Sequence, residues 1–292
     1  MGASPSTIFS WVNTFGQNAK SPIEIADELK PHWGGILEID CKQIKIRGDN
    51  ATIFIAADTM SKDVIYFDLA DDEDEENAEE FLLIIKEVFK FPFRAIISDL
   101  GKGRVFVNLV ERLLPDIPHQ ACVLHFMRYV NAKLPKSQKS SYHFQNEFLR
   151  NYIRELLFCS CYNDAEEMLI RLEKIEHLFQ LKYQKEIIRS LKRNFDLLSV
   201  HFFHEDLPRD TNIVENVIKQ LDTKLKMIHG FKDYQSAYRF LKLWFCAYRF
   251  RPFSASQAPY HNGKCPLNLA GVQTQGIDWL EYSQKAKQQH LI

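Results

Sequence analysis

The sequence lacks features that are typical of membrane or secreted proteins. Its apolar runs are much shorter than the roughly 20 residues of a membrane-spanning helix, and no charged-then-apolar leader opens the chain. The six cysteines are sparse and irregularly spaced over 292 residues, which argues against the disulfide framework of a small secreted domain. We therefore expect an intracellular, cytoplasmic protein that does not enter a membrane.

An excess of charge of one sign is also missing, since the formal net charge is −1. The two halves nevertheless differ: residues 1–123 carry 12 Lys and Arg against 21 Asp and Glu, and residues 124–253 carry 22 against 15. A basic second half could lie against phosphates. Solvated helix faces explain the same imbalance, and charge alone favours that simpler interpretation.

Hydrophobic periodicity predicts a mixture of strands and helices. One period-two run and two more strand-like runs follow each other closely and indicate an antiparallel meander, and two short apolar strands come after it. The predicted strands span residues 35–47, 51–57, 64–69, 94–99 and 119–124. An acidic run at 71–80 is expected to begin a helix, and another helix is predicted at 105–114.

The rest of the chain reads as helical. Before the strands, Ser6 or Thr7 is predicted to cap one helix, and Ser21 precedes a second. After the strands, helical stripes run from about 125 to 205 and resume at 212–227 and 233–250. The segment from Pro252 onward is rich in Pro, Gly, Asn and Gln, so we expect it to be loosely packed or peripheral.

Three acidic residues stand out in this layout. Asp40 lies within the first strand, Asp99 ends the fourth strand before Gly101, and Glu215 lies near a helix start. Two-metal phosphoryl transfer needs hard divalent ions held by carboxylate oxygens on rigid elements. Each acid also has a plainer interpretation: Asp40 as an outward-facing strand residue, Asp99 as a turn residue, and Glu215 as the partner of Asn212 in a capping box.

Four motifs, taken with the order of elements, resemble those of one protein family. They are LEIDCK at 37–42, ISDLG at 97–101, HQACVLH at 119–125, and TNIVE at 211–215 followed by Gly230-Phe231. The chain resembles the DDE transposases of bacterial insertion sequences that are related to the Mutator superfamily. It departs from the family's usual pattern at Cys41 and Leu100, where the residue after each aspartate is often glycine.

The resemblance implies an α/β fold and a function. The fold would be an RNase H-like mixed sheet flanked by helices, with an all-helical insertion before the last catalytic acid. The function would be transposition, that is, cleavage and strand transfer of DNA. Asp40, Asp99 and Glu215 would be both the catalytic residues and the ligands of two Mg²⁺ or Mn²⁺ ions.

The resemblance also implies partners and a domain layout. The partners would be the element's terminal inverted repeats and target DNA, bound by a homodimer or larger assembly that is associated with the nucleoid. The predicted segments are a remnant of a helix-turn-helix region at 1–33, the two parts of the core at 34–125 and 208–251, the helical insertion at 126–207, and a C-terminal tail at 252–292.

Other polar residues near the acids are candidates for contact with DNA. They are Lys102, Arg104, His125, Arg209, Asn212 and Lys219. Cys122 and His125 alone supply too few ligands for a structural zinc site, which needs four. The aromatic residues at helical spacing in 234–250 are expected to be core rather than base-stacking platforms.

Two further functions fit the same residues. A non-catalytic or truncated transposon-derived DNA-binding protein would explain the short N-terminal region and the near-neutral charge. A nuclease of the same fold would hydrolyse DNA without joining strands.

Overall fold

The computed structural model describes residues 4–136, 141–256 and 258–285. The chain forms two compact units, and the second is inserted into the first. The first unit comprises Met1–Arg94 and Asn212–Ile292, and the second comprises Ala95–Thr211. No helix in the described part of the chain is long and apolar enough to cross a bilayer.

The architecture is mixed α/β, with five strands in a mixed sheet flanked by helices. In chain order the elements are α1 (Pro5–Asn18), α2 (Pro22–Leu29), β1 (Ile36–Ile46), β2 (Asp49–Asp58), β3 (Val64–Ala70), α3 (Glu75–Leu83), β4 (Ala95–Ser98), α4 (Val105–Leu113), β5 (His119–Ala121), α5 (Val123–Lys133), α6 (His143–Leu157), α7 (Tyr162–Ile175), α8 (Lys182–Leu198), α9 (Asn212–Ile228), α10 (Tyr234–Phe250), α11 (Pro266–Leu269) and α12 (Trp279–Gln284).

The strands of the first unit form the predicted antiparallel meander. β2 pairs with β1 on one side and with β3 on the other, and Asp40 lies opposite Ile55 in this register. Eight residues of β2, from Ala51 to Asp58, are buried, so β2 is covered on both of its faces. In the second unit β4 pairs in parallel with β5.

One face of the meander is covered by α9 and α10. Residues at even positions of β1, such as Ile44 and Ile46, share a core with Val217 and Leu221 of α9. Because side chains alternate along a strand, Glu38, Asp40 and Lys42 belong to the same face of β1. The fold therefore turns Asp40 toward the side of the sheet where α9 packs.

The second unit is largely helical between β5 and its end. Its core combines α5, α6, α7 and α8, with Leu149, Ile153, Ile188 and Leu191 fully buried. The predicted all-helical stretch before Glu215 is confirmed. The predicted strand at 119–124 is too long: Cys122 is the N-cap of α5, so Val123 and Leu124 are helical.

The helices begin near the residues predicted from the sequence, with one correction to a capping residue. The side chain of Ser4, rather than of Ser6 or Thr7, accepts the capping hydrogen bond of α1, from the amide of Thr7. Ser21 and Glu24 form a reciprocal capping box at α2. The acidic run does begin a helix, because Asp74 caps α3.

The segment after Pro252 is more ordered in its packing than expected. Cys265 and Leu267 are buried and form a core cluster with Ile25 of α2 and with Cys246 and Phe250 of α10. Trp279 and Tyr282 of α12 pack against the same cluster. The prediction of a loosely packed tail is therefore wrong for residues 265–282, because apolar side chains spaced along this segment pack against α2 and α10.

Candidate active site

Asp40 lies in the middle of β1, where a strand that is buried at its start becomes half-exposed. Residues Ile36 to Ile39 are buried, whereas Asp40, Cys41 and Lys42 are half-buried. The Oδ1 atom of Asp40 accepts a hydrogen bond of 2.8 Å from the amide of Cys41. The carboxylate is thus held close to its own backbone on the face of the sheet that meets α9.

Glu38 connects this face of β1 to the beginning of α9. Its carboxylate is fully buried, and Oε2 accepts hydrogen bonds from the amides of Ile213 at 2.8 Å and Val214 at 3.1 Å. These amides belong to the first turn of the helix, which has no intrahelical acceptors for them. A carboxylate there also interacts favourably with the positive end of the helix dipole.

A second contact joins the same strand face to α9 two turns later. Lys42 forms a 2.7 Å ion pair with Asp222. The two contacts are spaced equally on both elements. Four residue steps along the strand, from Glu38 to Lys42, and nine along the helix, from Ile213 to Asp222, each span roughly 13 Å. β1 and α9 therefore run side by side in the same direction, and Asp40 lies between the two contacts.

Glu215 is on this first part of α9. It is 6% exposed, and its Oε2 atom lies 3.9 Å from Nζ of Lys219, one turn further along the helix. The structure thus brings Asp40 and Glu215 to neighbouring elements of the first unit. It weakens the capping-box interpretation of Glu215, because Asn212 is already the first residue of the helix and Glu38 binds the amides that follow it.

Asp99 belongs to the second unit and directly follows β4. The chain then turns through Gly101, whose φ is +48°, a conformation that glycine adopts more readily than other residues. Burial raises the pKa of the Asp99 carboxyl, while His125 and the Gly101 amide act in the opposite direction. A half-buried carboxyl of this kind gains from a nearby cation.

His125 shares the second unit with Asp99 and is near enough to influence its charge. It lies on the first turn of α5, and Nη1 of Arg128 is 3.1 Å from its Nε2 atom. Cys122 is buried at the start of the same helix, where its sulfur accepts a hydrogen bond of 3.4 Å from the hydroxyl of Thr211. Within the second unit, Cys122 is therefore engaged in a hydrogen bond with Thr211.

The other predicted DNA contacts occupy varied positions. Arg104 precedes α4 and donates to Oδ1 of Asn194 on α8. Cζ of Arg209 lies over the ring of Phe158, 4.3 Å from its centroid. Asn212 is exposed at the start of α9. The side chain of Lys102 lies outside the described residues.

Sequence reasoning missed Glu38. The available signal was its position two residues before Asp40 in an apolar strand, which places both carboxylates on one face. The predicted core role of the α10 aromatic residues is confirmed for Phe245, Tyr248 and Phe250, which are buried, whereas Tyr234 and Tyr238 are partly exposed.

Comparison with known proteins identifies the family. The family model described as "Transposase, Mutator family" matches residues 31–249, which include all three acids. The chain belongs to the Mutator family of transposases. The resemblance to this family that the sequence motifs indicated is thereby confirmed.

Two curated relatives of this chain are transposases of insertion sequences. The transposase for insertion sequence element IS256 in transposon Tn4001 is 25% identical over 215 residues in both Staphylococcus aureus and Enterococcus faecalis (strain ATCC 700802 / V583). Each match covers 70% of this chain and 52% of the relative. The chain thus spans about half the length of the curated relatives it matches.

Among solved structures, a chain of the simian T-cell lymphotropic virus intasome in complex with PP2A regulatory subunit B56 gamma is similar at 17% identity, with a TM-score of 0.26. The match covers 52% of this chain and 51% of that chain.

Proposed function

We propose that this chain is the catalytic part of a DDE transposase that cleaves DNA strands and transfers them to a target. Asp40, Asp99 and Glu215 would hold two divalent metal ions, Mg²⁺ or Mn²⁺. The observation that supports this most directly is the arrangement of Asp40 on β1 beside the start of α9, which carries Glu215, within a chain of the Mutator family.

The three side chains fit such ions by their chemistry. All are carboxylates, the donors that Mg²⁺ prefers, and each sits on or next to a regular element. The raised pKa of Asp99 indicates a carboxyl whose charge is poorly solvated, as suits a metal ligand. Two bound ions would polarise the phosphodiester and generate the attacking hydroxyl.

Other residues of the chain would orient these ligands. Glu38 fixes the first turn of α9, and Lys42 with Asp222 fixes its third turn. Lys219, beside Glu215 and largely exposed, would meet a phosphate. His125 would act near Asp99 as a residue that lines the site.

The substrates would be the inverted-repeat ends of the element and a target DNA. A homodimer or larger assembly would hold paired ends, and the protein would work at the nucleoid. Residues 1–33 would belong to an end-recognition region.

The test compares Asp40→Asn with Asp68→Asn. Asp68 is a matched control because it is also a half-buried strand residue whose Oδ1 accepts a 2.8 Å bond from the next amide. With Mg²⁺ and DNA that carries the flanking inverted repeats, we expect Asp40→Asn to lose at least about a hundredfold in cleavage rate, since a bound ion stabilises the transition state by several kcal/mol. Asp68→Asn should retain the cleavage rate of the wild type.

Mn²⁺ binding, followed by calorimetry, gives a second readout that does not depend on activity. Asp40→Asn should weaken it and Asp68→Asn should not. Equal cleavage and equal Mn²⁺ binding by the two variants would reject the assignment of Asp40.

The same assay separates the other candidate functions. Cleavage without joined products would favour a nuclease of the same fold. DNA binding without cleavage in either metal would favour a non-catalytic, transposon-derived protein.

A further inference from the structure

The first unit contains a groove of about 1040 Å³ beside α9. Its walls are one side of α9, the C-terminal part of α10, and the segment that follows α10. We call it the α9 groove and define it by Lys62, Asn216, Lys219, Gln220, Lys224 and Arg251, which all line it. Its volume is at the upper end of the roughly 300–1,000 Å³ of small-molecule pockets.

The charge of this groove has one sign. Lys62, Lys219, Lys224 and Arg251 line it, and no Asp or Glu occurs among the described lining residues. α9 carries two acids in the same region: Asp222 is bound to Lys42, and Glu215 lies beside Lys219. A surface with four cations and no lining carboxylate attracts an anion with several charges.

The polar face of α9 supplies hydrogen-bond donors as well. Asn212, Asn216, Lys219, Gln220 and Thr223 line the groove, and their spacing puts them on one side of a helix. Amides, hydroxyls and ammonium groups can all donate to phosphate oxygens. The opposite side of α9 is apolar and buried through Val214, Val217 and Leu221.

The groove adjoins the proposed catalytic acid of this unit. Lys219 lines the groove, and its Nζ atom lies 3.9 Å from Oε2 of Glu215. Lys62 and Phe253 also line the groove, and Nζ of Lys62 lies over the ring of Phe253, 5.3 Å from its centroid. A chain-like anion in the groove that contacts Lys219 would therefore lie close to Glu215.

We infer that the α9 groove holds a DNA strand by its phosphates and leads that strand to Glu215. This inference rests on the proposed function and names the surface that binds its substrate. The contacts are to the sugar-phosphate backbone of the DNA, so they position the strand without recognising its base sequence. Because each contact releases condensed counterions, binding through the groove depends on salt.

Binding of a fluorescein-labelled DNA oligonucleotide tests this, measured by anisotropy in EDTA so that cleavage does not interfere. Lys224→Glu and Arg251→Glu are compared with Lys226→Glu. Lys226 is a matched control because it is an exposed lysine of the same helix that does not line the groove. All three variants change the net charge equally, and all three positions are exposed, so the fold should be retained.

We expect the two groove variants to bind about tenfold or more weakly, with a salt slope reduced by about 1 per lost contact. Lys226→Glu should bind like the wild type. Equal weakening of DNA binding by Lys224→Glu and Lys226→Glu would overturn the assignment of the groove as the DNA-binding surface. Inorganic phosphate that binds as tightly as the oligonucleotide at matched ionic strength would also overturn it, since a small-anion site would then explain the cations.

Failure of the groove can be told apart from failure of the proposed function. If Lys224→Glu and Arg251→Glu bind and cleave DNA normally while Asp40→Asn does not cleave, only the groove is wrong. If the wild type binds DNA through the groove and never cleaves it, the groove is supported and the chemistry is wrong.

Discussion

Several acidic side chains of the first unit are buried and bind the backbone or a single cation. Oδ1 of Asp58 accepts from the amides of Gly34 and Gly35, and Oδ2 accepts from that of Ser61. Asp63 forms two bonds of 2.7 Å with Arg249, and both side chains are almost inaccessible. Carboxylates buried in this way are tolerated because they accept hydrogen bonds from the backbone or from a cation.

Glu38 differs from those acids because it links the strand of one proposed ligand to the helix of another. We predict that Glu38→Gln destabilises the first unit by about 1–2 kcal/mol, because it removes the charge from a carboxylate at a helix N-terminus. Urea unfolding measures this. If Glu38 positions Glu215, Mn²⁺ affinity should also fall by about tenfold, as it does when a residue behind a metal ligand is changed.

The control for Glu38 is Thr59→Val. Thr59 donates a longer bond of 3.3 Å to Oε1 of Glu38, whereas the amides of α9 donate to Oε2. The Thr59→Val variant should lose no more than about 1.5 kcal/mol of unfolding free energy, the upper end for an ordinary hydrogen bond. Its Mn²⁺ affinity should be unchanged. Loss of stability in Glu38→Gln with unchanged Mn²⁺ affinity would reduce Glu38 to a structural residue.

At the scale of elements, α9 has three distinct sides. Its apolar side packs on the meander through Val214, Val217 and Leu221. A second side meets β1 through Asp222, and the third lines the α9 groove through Asn216 and Gln220. One helix therefore combines packing, placement of Glu215 and the proposed contact with DNA.

The segment after α10 acts as a packed element even though it contains only short helices. Leu267 is fully buried beside Ile25 and Phe250. We predict that Leu267→Ala costs about 2–5 kcal/mol of unfolding free energy, because it leaves a cavity in this cluster. Tyr260, which is 70% exposed, offers the comparison: Tyr260→Ala should cost less than about 1 kcal/mol. Similar values for the two would contradict the packing of this segment.

At the scale of the whole molecule, the second unit depends on histidines that stay neutral. Burial lowers the pKa of His119 to about 4, and burial together with Arg209 lowers that of His201 to about 4. In the unfolded chain a histidine binds its proton near pH 6.5. Between those two values the unfolded state binds more protons, so stability is present above about pH 6.5 and is lost as pH falls toward 4.

This predicts that acid unfolds the protein more steeply than its carboxylates alone would. His119→Phe should remove part of the pH dependence between about pH 6.5 and 4, on the order of 1–3 kcal/mol, although the loss of its bond to Ser98 lowers stability at every pH. Urea unfolding across this range measures the slope. His204, exposed in the same unit, is the control, and equal slopes for His119→Phe and His204→Phe would contradict the assignment.

The sequence by itself determined the strands, the helices and the family. Period-two alternation, capping residues such as Ser21 and the motifs around Asp40 and Asp99 are local, so they can be recognised without a structure. The tertiary structure alone decided the roles of residues that meet over long separations. The bonds of Glu38 to α9 span 175 residues or more, and that of Asp63 to Arg249 spans 186. No periodicity encodes such pairs, because they arise only when packing of apolar faces brings distant segments together.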